Sequence, residues 1–328
     1  MDSDGDVLLV CSGGGHLRQL AGLAERIGYA PDRQVWVTFR NGLSESLLAG
    51  RRVVYAPFTA PRDGKNFARL VAMSGSVFRS HDFVEAVSTG SSPAVAFLPQ
   101  AVLRGIPAHY IESAARADGP SLTGRIIARV PGIRTYSQYP VWAKGRWLYG
   151  GSIFDEYTSG DLRQPPRQPR TAVVSVGTQE GYPFLAMLEK VVPLLAGMDH
   201  VLYQTGDADV RRLGIDGRRS VPHAELREAV YAADVVITHS GVGAALSALE
   251  AGKHPILIPR RAEKNEHIDG HQVQVARELD RRGLATLRFA DTLTFGDIVA
   301  ASNRTVRVTL PPPFTLTRRN DAALQPME

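Results

Sequence analysis

Two short segments combine glycines with a histidine at the end of an apolar run. They are Ser12-Gly13-Gly14-Gly15-His16 and His239-Ser240-Gly241-Val242-Gly243. Each precedes a stretch that predicts a helix, so each is interpreted as a glycine turn between a strand and a helix. The unsatisfied N–H groups and the positive dipole end of such a helix suit a phosphate or diphosphate. Neither segment is a dinucleotide-binding or P-loop motif, so each alone could equally be a tight turn that binds nothing.

The residues around the second turn predict a strand–helix–strand unit. Residues 234–238 form a β-branched run typical of a buried parallel strand. Residues 244–251 are rich in alanine and leucine and predict a helix that ends at Gly252. A second strand is predicted at 255–259.

Polar residues that could bind a sugar nucleotide accompany this unit. Glu250 lies near the end of its helix, and a polar segment, 260–270, follows its second strand. His271 and Gln272 then begin another predicted helix. A carboxylate and a His-Gln pair near the carboxyl ends of adjacent strands could bind ribose and sugar hydroxyls beside a diphosphate.

Residues 234–272 resemble the donor half of the family 28 glycosyltransferases, which have the GT-B fold and include the enzyme that makes lipid II. They are most similar to the catalytic subunit of the two-part N-acetylglucosaminyltransferase of dolichol-linked glycan synthesis and to its bacterial exopolysaccharide counterparts. The matching residues are His239, Gly241, Gly243, Gly252, Lys253, His271 and Gln272. Ser247 stands where many relatives carry the ribose-binding glutamate, and we therefore assign the ribose role to Glu250, one turn further on.

Residues 111–155 resemble the acceptor-side, membrane-associating subunit of the same two-part enzymes. The matching residues are Glu112, Ser113, Arg116, Ser121, Leu122, Thr123, Gly124, Arg125, Gln138, Tyr139 and Trp142. Arg116 and Arg125 can pair with phosphate, and residues 122–130 predict a basic, apolar helix suited to a bilayer interface. Alternatively, Glu112 and the arginines form a structural ion-pair network.

The resemblance implies an α/β protein of GT-B fold, with two Rossmann-like domains whose parallel sheets face a central cleft. We expect an acceptor- and membrane-facing domain at 1–157, a linker rich in proline and arginine at 158–170, a donor-binding domain at 171–308 and a tail at 309–328. The two halves, which are separate polypeptides in most relatives, would then be fused here.

Further donor contacts follow from the same resemblance. In donor domains of this family the Val-Gly-Thr turn borders the cleft, so Gly177 and Thr178 are expected to contact sugar or phosphate. Gly206 ends the next predicted strand, and the loop at His223 is where such enzymes hold the nucleotide base. From the residues alone, Gly177 could mark a plain turn and His223 a surface histidine.

The expected reaction moves a sugar from a UDP-sugar to a polyprenyl-diphosphate-linked acceptor, with inversion at the anomeric carbon. His16 is the first choice of base and Glu112 the second, while the N–H groups of residues 240–243 would stabilise the departing diphosphate. Glycines 13–15, Arg116 and Arg125 would face the acceptor phosphate. We expect no metal and no cofactor beyond the donor substrate, and Asp207-Ala208-Asp209 is discounted as a metal motif because it follows a glycine turn.

Composition is consistent with this prediction. The 328 residues suffice for two domains, 44% are hydrophobic, and the net charge of +5 suits anionic partners such as nucleotide-sugars, lipid diphosphates or a bilayer surface. No nucleic-acid-binding motif accompanies the charge. No run approaches the ~18 apolar residues of a membrane span, and the acidic start is unlike a signal peptide. We expect a cytoplasmic protein bound peripherally to the inner face of the cell membrane.

Two other functions stay open. A nucleotide-sugar epimerase shares the GT-B architecture but would need no lipid-facing helix, and a non-catalytic scaffold for a partner transferase fits the first half alone. The sugar is also open, between glucuronosyl, galactosyl and N-acetylglucosaminyl. Arg260 and Arg261, close to the donor loop, would suit the carboxylate of a glucuronosyl donor.

Overall fold

The structure is a computed structural model that describes residues 5–60, 63–178, 181–264, 266 and 270–317. The chain divides into two compact units. The first comprises Met1–Asp155 with Pro312–Glu328, and the second comprises Glu156–Pro311.

The first unit contains a seven-stranded parallel sheet. Its strands are β1 (Asp6–Cys11), β2 (Gln34–Phe39), β3 (Arg52–Ala56), β4 (Phe83–Gly90), β5 (Ala108–Ile111), β6 (Ile133–Ser137) and β7 (Trp147–Tyr149). Their spatial order is β3-β2-β1-β4-β5-β6-β7. The connecting helices are α1 (Gly15–Ile27), α2 (Gly42–Leu47), α3 (Gly64–Ser80), α4 (Ser92–Leu103) and α5 (Leu122–Ile127). Strand order reverses between β1 and β4, the point at which ligands bind in sheets of this kind.

The second unit contains a six-stranded parallel sheet of related topology. Its strands are β9 (Thr171–Ser175), β10 (His200–Gln204), β11 (Gly217–Arg218), β12 (Val235–His239), β13 (Ile256–Ile258) and β14 (Thr286–Leu287), in the order β11-β10-β9-β12-β13-β14. Its helices are α6 (Leu185–Leu194), α7 (His223–Ala232), α8 (Val242–Glu250), α9 (His271–Arg281) and α10 (Phe295–Ser302). The order reverses between β9 and β12. Two further strands, β8 (Tyr157–Ser159) and β15 (Val306–Val308), form an antiparallel pair.

Helices cover both faces of the second sheet. Val174 packs in the apolar cluster formed with α6 and α10, whereas its neighbour Val173 packs in the cluster formed with α7 and α8. Successive side chains of a strand point to opposite faces, and burial on both faces explains why the central strands are apolar runs. The predicted fold class, with two Rossmann-like units built on parallel sheets, is confirmed.

The predicted bounds of the two domains differ from the bounds of the two units in the structure. Thr158 and Ser159 belong to β8 of the second unit rather than to a linker, because their backbones pair with β15. The predicted tail does not all extend away from the fold. Phe314 is buried in the first unit, where its ring packs against Tyr136, and the amide of Thr317 donates to the Tyr136 hydroxyl (3.0 Å). Residues 318–328 of that tail lie outside the described residues.

Helix α5 is shorter than the predicted helix over residues 122–130. It ends at Ile127, and the chain then turns before Pro131, since a proline disfavours helical backbone at the residue that precedes it. None of the helices in the described ranges is both long and apolar enough to cross a bilayer.

Candidate active-site turns

The glycine turn after β1 places His16 at the strand reversal of the first unit. His16 is the second residue of α1, and its Nδ1 lies 2.7 Å from the carbonyl oxygen of Thr89, near the end of β4. Because a carbonyl oxygen only accepts hydrogen bonds, Nδ1 carries the proton and donates it. In the neutral ring, Nε2 then keeps its lone pair and can accept a proton. This tautomer suits the predicted base.

Glycine is required in this turn by close contacts and by backbone conformation. A Cβ at Gly13 would lie 2.4 Å from Nδ2 of Asn41, and Gly14 has a φ of +67°, which side chains disfavour. Gly14 precedes α1, and no side chain caps the helix start. The first amides of α1 are thus without a side-chain cap, as an anion-binding turn requires.

Gln19, one turn after His16, was missed by the sequence reasoning. It is buried, and its side-chain oxygen accepts from the amide of Ala114 (2.7 Å) and from Nε2 of Gln138 (3.0 Å). Its Nε2 donates to the Ser113 hydroxyl (3.2 Å). Gln19 therefore ties α1 to the chain that follows β5 and β6, which fixes the helix that carries His16. A buried amide on the apolar face of a predicted helix was the available signal.

Glu112, the second candidate base, is a buried structural carboxylate. Its Oε1 accepts from the Tyr110 hydroxyl (3.2 Å) and the Ser113 amide (3.0 Å), and its Oε2 accepts from the amide (2.9 Å) and hydroxyl (3.0 Å) of Ser121. The side chain is 1% exposed. Burial raises its pKa, and the hydrogen bonds oppose that shift. With both oxygens occupied and water excluded, Glu112 is poorly placed to take a substrate proton.

The Glu112 carboxylate instead organises the start of α5. Ser121 caps this helix by accepting from the amide of Gly124 (3.0 Å), and a Cβ at Gly124 would lie 2.1 Å from Oε2 of Glu112. The alternative of a structural network is thus supported, although amides and hydroxyls replace the expected arginines. Arg125 is exposed, and Arg116 is half-buried with its carbonyl accepting from Nε1 of Trp142 (3.1 Å).

In the second unit, the ring of His239 fills the space between two glycines. A Cβ at Gly177 would lie 2.6 Å from its Cε1, and a Cβ at Gly241 would lie 2.5 Å from its Nε2. Gly177 also has a φ of +80°, and a Cβ at Gly206 would lie 2.6 Å from the Gly177 carbonyl oxygen. These glycines are required for packing. His239, predicted to bind the donor, has a packing role in the structure.

Ser240 is a buried polar residue of this turn to which the described residues offer no side-chain partner. Its side chain is fully buried, and its hydroxyl has no hydrogen bond in the described part of the chain. It immediately precedes Gly241, the N-cap residue of α8, and no side chain caps the start of this helix. Unsatisfied buried polar groups are uncommon in folded proteins and require an explanation. An anion at the start of α8 would explain both the hydroxyl and the uncapped helix.

Glu250, to which ribose binding was assigned, lies far from the second glycine turn. Glu250 is the last residue of α8, eight residues after Val242, and thus about 12 Å along the helix from the turn. Its carbonyl oxygen accepts from the hydroxyl of Tyr231, near the end of α7. Helices that follow parallel strands run back toward the opposite edge of the sheet, so Glu250 lies at the wrong end.

The remaining predicted donor residues lie at the ends of the strands and the starts of the helices of the second unit. Thr178 is exposed directly after Gly177, and His223 begins α7. His271 is the first residue of α9, and Gln272 is buried, with its side-chain oxygen accepting from the Arg260 amide (3.1 Å). Part of the polar segment before α9, residues 265 and 267–269, lies outside the described residues.

Arg260 does not provide a sugar-carboxylate site as predicted, because it is buried. Its guanidinium donates to the carbonyl oxygens of Val176 (2.6 Å) and Tyr182. Arg261 pairs with Asp291 (3.3 Å) and lies over the ring of Phe289. Both guanidinium groups are therefore already engaged within the second unit.

No cluster of metal-ligating side chains occurs among the described residues. Asp207 pairs with Arg219 (2.8 Å), and Asp209 pairs with Arg211 (2.6 Å). The two aspartates of the discounted motif are thus each neutralised by an arginine.

The whole chain is similar in structure to solved proteins of GT-B fold. It resembles MurG from Acinetobacter baumannii with a TM-score of 0.55 and 15% identity, over 91% of this chain and 94% of that one. It also resembles UDP-GlcNAc 2-epimerase from Methanocaldococcus jannaschii, with a TM-score of 0.56 and 10% identity over 90% and 91% of the two chains. The protein therefore has the GT-B fold.

Residues 171–293 match the glycosyltransferase family 28 C-terminal domain. A 50-residue segment is 40% identical to the "UDP-N-acetylglucosamine transferase subunit ALG13" of Yarrowia lipolytica, and it covers 15% of this chain and 24% of that relative. The chain thus matches about a quarter of the length of this curated relative. This match confirms the resemblance predicted from the second glycine turn, because residues 171–293 of the second unit are similar to the C-terminal domain of glycosyltransferase family 28.

Proposed function

We propose that the protein is a glycosyltransferase that moves a hexosyl group from a UDP-sugar to a polyprenyl-diphosphate-linked acceptor. The observation that carries the proposal is the turn after β12. There, the buried hydroxyl of Ser240, which has no hydrogen-bond partner among the described residues, lies at an uncapped helix start within a stretch that matches a family 28 domain. This arrangement suits the diphosphate of a nucleotide-sugar. The relative named as a UDP-N-acetylglucosamine transferase subunit supports uridine as the base.

The proposed chemistry is a single displacement with inversion. The acceptor hydroxyl forms a bond to the anomeric carbon as the bond from that carbon to the diphosphate oxygen breaks. His16 Nε2 takes the hydroxyl proton, and the Thr89 carbonyl holds the ring in the tautomer that can do so. The amides of residues 241–243 and the Ser240 hydroxyl stabilise the charge of the departing diphosphate without a metal.

A basic and apolar surface of the first unit supports peripheral attachment to the cytoplasmic face of a membrane. On α5, Leu122 is 72% exposed beside the exposed Arg125. At the end of α4, Leu103 is 83% exposed, next to a surface cavity of about 370 Å³ whose lining includes Arg134 and Arg146. Aliphatic side chains and arginines together suit an anionic bilayer surface.

Membrane attachment can be tested by co-sedimentation with vesicles of neutral or anionic phospholipid. We expect the protein to bind anionic vesicles and Leu122→Ser to weaken binding severalfold. The control is Leu310→Ser, which changes an exposed leucine of the second unit. Equal binding by all three proteins would contradict the proposed surface.

A thermal-shift panel with uridine-, guanosine- and thymidine-diphosphate sugars tests the donor. Selective stabilisation by one UDP-sugar would identify both base and sugar, since a ligand at 100 times its Kd adds about 2.7 kcal/mol to the free energy of unfolding. His271→Ala should lose the shift. Glu250→Ala is the matched control, because Glu250 lies at the far end of α8. Absence of stabilisation by every sugar nucleotide would contradict donor binding and favour a scaffold.

The epimerase alternative shares only the fold with this chain, whereas the family 28 match favours transfer. Incubation of the protein with a UDP-sugar, with and without lipid-linked acceptor, separates the two. A transferase consumes donor only when acceptor is present. Isomerisation of the free donor would identify an epimerase and overturn the proposal.

A further inference from the structure

Arg260 is a buried cation close to the proposed diphosphate turn. It is 2% exposed, and among the described residues its guanidinium donates to carbonyl oxygens and to no carboxylate. Burial lowers its pKa to about 10, and the more distant charges of Glu266 and Asp207 oppose that shift. A charged group that is removed from water without an ionic partner is costly, so a fold that retains one calls for an explanation.

The guanidinium of Arg260 holds the chain that follows β9. It donates to the carbonyl oxygens of Val176 and Tyr182, which lie on either side of the Gly177 turn. The Cζ atom of Arg260 lies 5.2 Å from the centre of the Phe184 ring. Its Nε is buried and has no hydrogen bond within the described part of the unit. Arg260 thus fixes this turn through charge-assisted hydrogen bonds.

Strand register brings Arg260 beside the turn at Ser240. Ile258 of β13 is the register partner of His239 of β12, and the strands are parallel. Arg260 follows Ile258 by two residues, and Ser240 follows His239 by one. Since adjacent strands lie about 4.8 Å apart, the backbone of Arg260 lies close to the turn proposed to bind the diphosphate. Its guanidinium contacts the Val176 carbonyl, next to Gly177, and Gly177 packs against the ring of His239.

We propose that Arg260 is a positioning residue that fixes the Gly177 turn and supplies a buried positive charge favouring the diphosphate of the donor. The inference rests on the proposed function and extends it. Arg260 acts through the turn and its field and does not touch the sugar. In a low-dielectric interior the attraction between separated charges is stronger than in water, so a bound diphosphate offsets part of the cost of burying the cation.

Binding of uridine, UMP and UDP to the full-length protein, measured by titration calorimetry, tests this role. These ligands share the base and ribose but differ in phosphate number, so a charge effect grows along the series. A loss of structure would weaken all three equally. We expect Arg260→Met to lower UDP affinity about 10- to 100-fold, UMP affinity less, and uridine affinity not at all.

Three further variants separate charge from packing. Arg260→Lys keeps the charge and should preserve most of the preference for UDP over uridine, whereas Arg260→Gln keeps a donor without charge and should lose it. Arg261→Met is the matched control, because the guanidinium of Arg261 pairs with Asp291. This substitution should leave the preference for UDP over uridine unchanged. If Arg260→Met does not fold, the lysine and glutamine variants decide between the two roles.

Each outcome has a separate meaning. Equal UDP affinity in the wild type and in the folded uncharged variants would overturn the role of Arg260. An equal loss of affinity for uridine, UMP and UDP would also overturn it, because that pattern reports only packing. If the wild type binds none of the three ligands, the proposed function fails first, and this inference fails with it.

Discussion

Both glycine turns combine glycines with one serine and one histidine, but the histidine stands on opposite sides of the glycines and has different contacts. In the first turn, His16 follows the glycines and opens α1, where Nδ1 is bound to a carbonyl and the neutral ring keeps the lone pair of Nε2. In the second, His239 precedes the glycines and is packed between Gly177 and Gly241. In this chain the ring of His16 is thus held in a tautomer that suits a base, whereas the ring of His239 packs against glycine backbone.

The two turns also differ in how completely the protein satisfies their polar groups. Around the first, the side chain of Gln138 donates to the side chain of Gln19 and to the carbonyl oxygen of Glu112. The side chains of Gln19 and Glu112 also accept from backbone amides. Around the second, the described residues leave the Ser240 hydroxyl and Nε of Arg260 without hydrogen bonds. The segments packed around the first turn are therefore tied together by the protein itself, while the start of α1 has no side-chain cap. The second is the one that an anionic ligand would complete.

The largest expected effect is that of His16→Ala on turnover. Loss of a general base lowers kcat by about two to four orders of magnitude, whereas donor affinity should remain nearly unchanged because the donor belongs to the second unit. Steady-state kinetics and UDP titration on the same variant measure both quantities. The control is His200→Ala, at an exposed histidine. Wild-type turnover in His16→Ala would remove the functional contrast between the two histidines.

The packing role of His239 is tested by Gly241→Ala. Because φ at Gly241 is −74°, alanine causes no backbone strain, and the expected loss of about 1–3 kcal/mol in unfolding free energy comes only from the clash with the His239 ring. In the His239→Ala background the clash is absent, so Gly241→Ala should then cost little. Chemical denaturation of the four proteins gives the coupling energy. Additive effects would show that the ring is not what excludes a side chain there.

Local patterns in the sequence predicted the fold and the turns, but long-range contacts decided the roles of several residues. Strands and glycine turns are encoded by neighbouring residues, and these predictions hold. The choice of Glu250 came from counting one turn further along a helix, and this helix leads away from the glycine turn. Arg260 was taken for a ligand-binding loop residue, since its carbonyl partners are about 80 residues away and no local pattern reveals them.

The burial of Glu112 in the first unit predicts a pH dependence of stability. Burial raises the pKa of Glu112 in the folded state, so its contribution to stability is full below its unfolded pKa and is lost as pH rises through the folded pKa. As the pH falls toward the pKa of Glu112 in the unfolded chain, the unfolding free energy of the wild type should therefore rise relative to that of Glu112→Gln. The rise is at most about 1.4 kcal/mol per pH unit. Denaturant melts of both proteins between pH 4 and 8 measure the difference. A difference that shrinks as pH falls would contradict this prediction.

The smallest effect is expected from Ser240→Ala, and it bears most directly on the contrast between a completed and an incomplete turn. Because the hydroxyl has no partner in the described chain, its removal should leave the unfolding free energy of the free protein unchanged or slightly higher. UDP affinity should fall about three- to tenfold, since one hydrogen bond to the diphosphate is lost. Ser137→Ala is the comparison in the first unit, where the hydroxyl donates to the Tyr139 carbonyl (2.8 Å) and accepts from the Tyr139 amide (2.9 Å). Ser137→Ala should therefore lower the unfolding free energy and leave UDP affinity unchanged. The reverse pattern, with Ser240→Ala destabilising the free protein and binding UDP normally, would mean that the hydroxyl already serves the fold and that the second turn is as complete as the first.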